Sequence, residues 1–132
     1  MSPDVVALCG IHHVKLPVMD VEVSRDWYCR ILGFEHELDF REEGRLMGVS
    51  LRIPDGRGRL ALRQAPERLE GLRGFDPVAW AVPTRADLVL WAEHLDREGQ
   101  PHSPIVQASI GSIIVFHDPD GYEVKLYTLE KP

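Results

Sequence analysis

The 132-residue chain carries 15 Lys and Arg against 21 Asp and Glu, a formal net charge of −6. No long basic run exists, which argues against nucleic acid as a partner, and no apolar run approaches the ~20 residues of a membrane span. Hydrophobic content of 44% and charged content of 27% are those of an ordinary globular protein. Met1 to Gly10 lacks the basic n-region of a signal peptide. Cys9 and Cys29 suggest no disulfide framework and are expected as reduced thiols, so the cytoplasm is the expected compartment.

Ile11 to Val18 alternates, with His13, Lys15 and Pro17 on one side and Val14, Leu16 and Val18 on the other, which predicts a half-buried strand. Asp20 is a candidate N-cap. Val23, Trp27 and Ile31 then recur at helical spacing, and Gly33 is placed to end the helix. Phe34–Phe40, Leu46–Ile53 and Arg59–Arg63 follow as predicted strands. Arg63 to Gly74 is polar, with Pro66, Gly71 and Gly74, and is expected to be a solvated connection.

The second half repeats the order. Val78–Val82 predicts a strand, and Thr84 with Asp87 resembles a capping box for a helix with Leu88, Trp91, Ala92 and Leu95 on its apolar face. Gly99 ends that helix. Pro101–Val106, Ser112–Phe116 and Tyr122–Leu129 are the remaining strand candidates. Both halves contain Pro-Asp-Gly between strands, at Pro54-Asp55-Gly56 and Pro119-Asp120-Gly121, where Pro presets φ and Gly supplies a residue able to take φ > 0. Val14 falls on Val78 at an offset of 64 residues, and the two turns fall at 65. The sequence therefore predicts an α+β domain over 1–132 built from two tandem βαβββ modules: 11–63, a connection at 64–76, and 77–129. The modules are expected to form a curved mixed sheet around a cleft.

Ile11-His12-His13-Val14, Trp27-Tyr28-Cys29-Arg30-Ile31-Leu32-Gly33-Phe34 and Asp118-Pro119-Asp120-Gly121-Tyr122 resemble the vicinal oxygen chelate superfamily, which includes glyoxalase I, extradiol dioxygenases, and fosfomycin- and bleomycin-resistance proteins. The resemblance covers Ile11 to Leu129. It specifies the fold far better than the reaction, because this fold hosts several chemistries. In metal-using members it implies four ligand positions, which here fall on His13, Ala61, Pro77 and Lys125. Ala and Pro side chains offer no lone pair, and an ammonium repels a divalent ion. A catalytic zinc site needs about three protein ligands, and a non-haem iron site wants two His and a carboxylate. No metal is therefore expected at that position. The alternative is a Zn, Ni, Mn or Fe enzyme of the glyoxalase or dioxygenase type with relocated ligands.

Strand parity places His13 with Lys15, Ala61 with Arg63, and Lys125 with Tyr127. If that face lines the cleft, it suits a small organic anion, gripped by Arg63 through a bidentate fork and by Lys125 as a point charge. His13 is the candidate acid or base. The competing reading has Lys15 and Arg63 reaching into solvent and Lys125 pairing with Glu123. His36, His94 and His102 are further ligand candidates, with His94 expected to be solvated on a charged helix surface. His12 and His117 are expected to face away from the cleft. A two-residue register slip would bring Glu123 to the metal position. Cys29 is expected to pack in the core, and no P-loop or dinucleotide fingerprint is present. The expected partners are a small-molecule ligand and a second copy of the chain, since open sheet edges need cover and members of this superfamily commonly dimerise.

Overall fold

The computed structural model describes residues 6–54 and 56–132. The elements run β1 (His13–Val18), α1 (Val21–Leu32), β2 (Glu35–Glu42), β3 (Arg45–Arg52) and β4 (Arg59–Gln64). A single 3₁₀ turn (Pro66–Arg68) leads to β5 (Ala79–Val82), α2 (Arg85–Arg97), β6 (Val106–Gln107), β7 (Ser112–His117) and β8 (Glu123–Thr128). The tandem βαβββ order is thus present, and its strands hydrogen-bond as two four-stranded mixed sheets, β1-β4-β3-β2 and β5-β8-β7-β6. In each sheet the module's first strand lies parallel to its last, and the hairpin between the last two strands is antiparallel. Asp55 of the first Pro-Asp-Gly turn, and residues 1–5 of the segment read for a leader, lie outside the described residues.

Local chemistry explains both helices. The Asp20 carboxylate accepts from the Glu22 and Val23 backbone N–H groups at 3.0 and 3.2 Å, and Gly33 closes α1 at φ 75° with its N–H on the Tyr28 carbonyl. Thr84 and Asp87 form a reciprocal capping box at α2. The second Pro-Asp-Gly turn is held from within. Asp118 Oδ1 accepts from the Asp120 and Tyr122 N–H groups at 2.9 and 3.0 Å, while Gly121 adopts φ +86°.

One core spans both modules. Leu16, Val18, Val49, Leu51, Leu60 and Leu62 from the first sheet join Trp27, Tyr28 and Ile31 of α1. Leu88 and Leu95 of α2 join Ile114, Phe116, Val124 and Leu126 of the second sheet. Side-chain bonds stitch the halves. The Tyr28 hydroxyl donates to Asp118 at 2.7 Å, Trp27 Nε1 to Gln100 at 3.0 Å, the Tyr122 hydroxyl to the Pro17 carbonyl at 2.8 Å, and His94 Nε2 to the Ile31 carbonyl at 2.9 Å. Cys29 packs half-buried against this core, and burial pushes its thiol pKa up.

Three expectations are corrected. Val23 is 52% exposed, and the buried stripe of α1 is Val21, Ser24, Trp27, Tyr28, Ile31 and Leu32. His94 is not solvated, because it bridges the two helices. The polar connection is solvated as expected, with 66–68, 70, 71 and 73–76 exposed, while Leu69 and Leu72 pack on the core and the segment is held by Gly74 N–H on the Gly121 carbonyl and Glu123 N–H on the Phe75 carbonyl. The predicted strand Pro101–Val106 reduces to a bridge at His102 and the two-residue β6. Pro101 and Pro104 have no N–H to give a ladder, and Ser103 supplies substitute bonds to both Val115 backbone groups.

Candidate functional site

Alternation divides the first sheet into two faces. Leu60, Leu62, Val49 and Leu51 point to α1 and are at most 1% exposed. The opposite face carries His13 and Lys15 from β1, Arg59 and Ala61 from β4, Ser50 from β3, and Leu38 and Phe40 from β2. Together with Cys9, Gly10, Ile11, His12, Glu37 and Arg57 these residues line a cavity of about 690 Å³. Register makes the grouping firm: Lys15 and Ser50 both lie opposite Ala61, and Leu38 lies opposite Ser50. The floor is apolar. Leu38 and Phe40 stay 52% and 50% exposed and stand side by side on one face of β2.

The charges around this floor are mostly matched. Arg59 donates to Glu37 at 3.0 Å, Arg63 to Glu42 at 2.9 Å, and Arg52 pairs with Glu35. These pairs tie β2 to β3 and β4. Lys15 has no such partner among the described residues. His12 and His13 place their Nδ1 atoms 2.9 Å apart, so one ring donates and the other accepts.

The predicted site residues separate into groups. His13, Lys15 and Ala61 meet in the cavity. Arg63 lies one step further along β4 and lines a neighbouring groove of about 590 Å³ that also contains Lys15. Lys125 and Tyr127 sit on β8 of the other sheet, opposite Ala79 and Ala81, and neither lines the cavity around His13. Lys125 Nζ donates to Asp76 at 2.8 Å rather than to Glu123. That bond raises the lysine pKa and lowers the Asp76 pKa. Of the other ligand candidates, His36 bonds Asp39 at 2.7 Å, and exposed His117 lies in register with Glu123. His102 is held between Asp96 and the Ser103 carbonyl, both at 2.7 Å, and its backbone acceptor holds its pKa above the usual value. An imidazole facing two acceptors donates from both nitrogens, the bonding pattern of the cation.

His12 lines the cavity although alternation sends it the other way. β1 begins only at His13, so strand parity does not extend to residue 12. Leu38, Phe40 and Arg59 were missed as site residues. The signal was two large apolar side chains, two residues apart, in the otherwise charged strand Glu35–Glu42.

The positions where metal-using relatives place ligands present an imidazole, a methyl group, a pyrrolidine ring and an ammonium already bonded to a carboxylate. Among the described residues no three His, Cys, Asp or Glu side chains converge as a metal-holding group. This donor set does not fit a divalent ion.

Comparison with known proteins agrees with this architecture. A curated relative, biphenyl-2,3-diol 1,2-dioxygenase 2 of Rhodococcus globerulus, is 31% identical over 119 residues, 86% of this chain. The chain spans only 60% of that relative's length. A glyoxylase/bleomycin resistance protein/dioxygenase domain from Frankia sp. EAN1pec superposes with a TM-score of 0.74 at 26% identity, covering 92% of this chain and 93% of that one. TnmS3, an antibiotic binding protein from Streptomyces sp. CB03234, superposes with a TM-score of 0.76 at 21% identity, over 93% and 98% of the two chains, and shows likeness of fold. Residues 10–126 match a single family profile, and the chain belongs to the Glyoxalase/Bleomycin resistance protein/Dioxygenase superfamily.

Proposed function

We propose that this protein binds a small organic anion in the cavity on the open face of its first sheet, without a metal at the family's usual position, and that it does so as a cytoplasmic homodimer. The observation that carries the reading is an unpaired Lys15 beside His13, set over an apolar floor of Leu38, Phe40 and Ala61 in a cavity of about 690 Å³. That volume is in the range of small-molecule sites, which join apolar walls to a few placed polar groups. A second copy is the natural cover for the open edges of the two sheets. The antibiotic-binding activity named for TnmS3 supports a binding role on this fold.

Isothermal titration with benzoate tests the reading. Binding that weakens at least tenfold in Lys15→Ala is expected. Undiminished binding in that variant removes the lysine from the site.

The diol dioxygenase relative favours a second reading, a metal-dependent dioxygenase or lyase with relocated ligands. Elemental analysis of untagged protein separates the two. Substoichiometric Zn, Ni, Mn and Fe is expected, whereas near-unit occupancy lost in His13→Ala establishes the second.

A further inference from the structure

We propose that the groove adjoining the cavity is a subsite for a doubly charged oxyanion, so that the ligand class is an apolar body bearing a phosphate-like group; this rests on the anion-binding reading above. Lys15 lines both spaces and joins them. Lys15 lies opposite Ala61 and Pro17 opposite Arg63, so the groove is displaced from the cavity floor by two residues of strand, about 7 Å. A ring centred on the floor carries the oxygens of an edge phosphate about 5 Å from its centre, and a hydrogen bond of about 2.8 Å from a groove cation reaches across the remainder.

The groove brings together Lys15, Arg45, Arg63 and Arg68. Two carboxylates stand against these four cations: Glu42, bonded to Arg63, and Glu67, on the groove wall. The balance is two positive charges in a chain whose formal net charge is −6. The side chains of Lys15, Arg45 and Arg68 make no hydrogen bond or ion pair among the described residues, although acids outnumber bases along the chain. Arg52, Arg59 and Arg63 on the same sheet are all matched to β2 carboxylates. The sheet therefore neutralises the arginines beneath the apolar floor and leaves the cations at one end unmatched. Arginine forks and a lysine point charge are the groups that grip tetrahedral oxyanions.

The test uses phenyl phosphate, inorganic phosphate, phenol and benzoate as probes, titrated at low salt against the wild type and the double variant Arg45→Ala/Arg68→Ala. Phenyl phosphate is expected to bind at least tenfold more tightly than phosphate or phenol, and to lose at least tenfold in the double variant while benzoate changes less than twofold. Lowering the pH below the second phosphate ionisation, near 6, should weaken phenyl phosphate towards benzoate. Equal binding of phenyl phosphate by wild type and double variant overturns the subsite but leaves the cavity standing if benzoate still binds. Binding of none of the four probes overturns both. Circular dichroism and thermal melting confirm that the variant, altered only at exposed side chains, is folded.

Discussion

Removing the Tyr28 hydroxyl should uncouple the two modules more than any other single-atom change. Tyr28 is 2% exposed on α1 of the first module, and Asp118, 6% exposed, sits in the β7–β8 turn of the second. The hydroxyl donates to Asp118 Oδ2 at 2.7 Å, while Oδ1 is taken by the Asp120 and Tyr122 N–H groups. Tyr28→Phe leaves Oδ2 buried without this donor. A hydrogen bond to an ionised group contributes about 1.5–3 kcal/mol, and one to a neutral group about 0.5–1.5. The expected loss at pH 7 is therefore ~2 kcal/mol. At about 2.1 cal/mol/K per residue of unfolding entropy, that lowers Tm by ~7 °C for a chain of this length. The loss should depend on pH in a defined direction. Burial raises the Asp118 pKa above 3.8, against the lowering effect of the Tyr28 bond. Ionising Asp118 thus costs the folded state stability as pH rises from 3.8 through the folded pKa, and the cost is complete above it. Without Tyr28 the folded pKa climbs further, so the deficit of the variant is smallest at acid pH and grows towards neutrality. Urea unfolding of both proteins at pH 4 and pH 7 measures this. A loss below about 0.5 kcal/mol at pH 7, or a larger loss at pH 4, refutes the account of the bond as charge-assisted.

Other substitutions probe separate features. Gly111→Ala would set a Cβ 2.6 Å from the Thr128 carbonyl oxygen, so the β7–β8 pairing must shift; a loss of ~2 kcal/mol or more is expected in urea unfolding. His102 has a raised folded pKa, so its contribution is complete below 6.5 and is lost as pH rises through the folded value. His102→Gln should then destabilise more at pH 6 than at pH 8, and equal effects would remove its cationic form from the fold. Lys125→Glu would face Asp76 with a like charge; unchanged binding of benzoate is expected because Lys125 does not line the cavity around His13, and weakened affinity would bring β8 into the site. Light scattering should give about twice the 15.0 kDa chain mass, and a clean monomer counts against the dimer.

Much of the fold was legible because its signals are local. Asp20, Gly33 and the Thr84–Asp87 box each act within five residues, and each is found where the sequence places it. The repeat supplied the order of elements, since a unit used twice constrains both copies. Side-chain partners were less legible. Val23 has the right helical spacing for the core, yet the stripe is rotated to Val21 and Ser24, because the second module's turn covers that flank and Asp120 approaches the Ser24 hydroxyl. His94 lies on a charged helix surface in sequence terms, and only the packing of α2 beside α1 shows it the Ile31 carbonyl. Lys125 was read against Glu123, two residues away, whereas its carboxylate comes from Asp76, 49 residues back along the chain.

The Lys125–Asp76 pair also gives physical content to the departure from metal-using relatives. Asp76 immediately precedes Pro77, and Lys125 stands where those relatives place a glutamate. In a metal site, two or more anionic or neutral donors from neighbouring strands converge on one external cation. Here the cation is covalently part of β8 and the carboxylate comes from the segment leading into β5, so the pair is neutral overall without a bound ion. A divalent metal entering between them would have to displace the ammonium and then remain beside it, with Ala61 offering nothing in return. The Lys125–Asp76 pair thus satisfies its own charge, whereas the side chains of Lys15, Arg45 and Arg68, gathered at one end of the first sheet, find no partner among the described residues. The two modules share one order of strands and helix, but a lysine is matched on β8 and unmatched on β1, and that difference is why we propose the first sheet as the anion site.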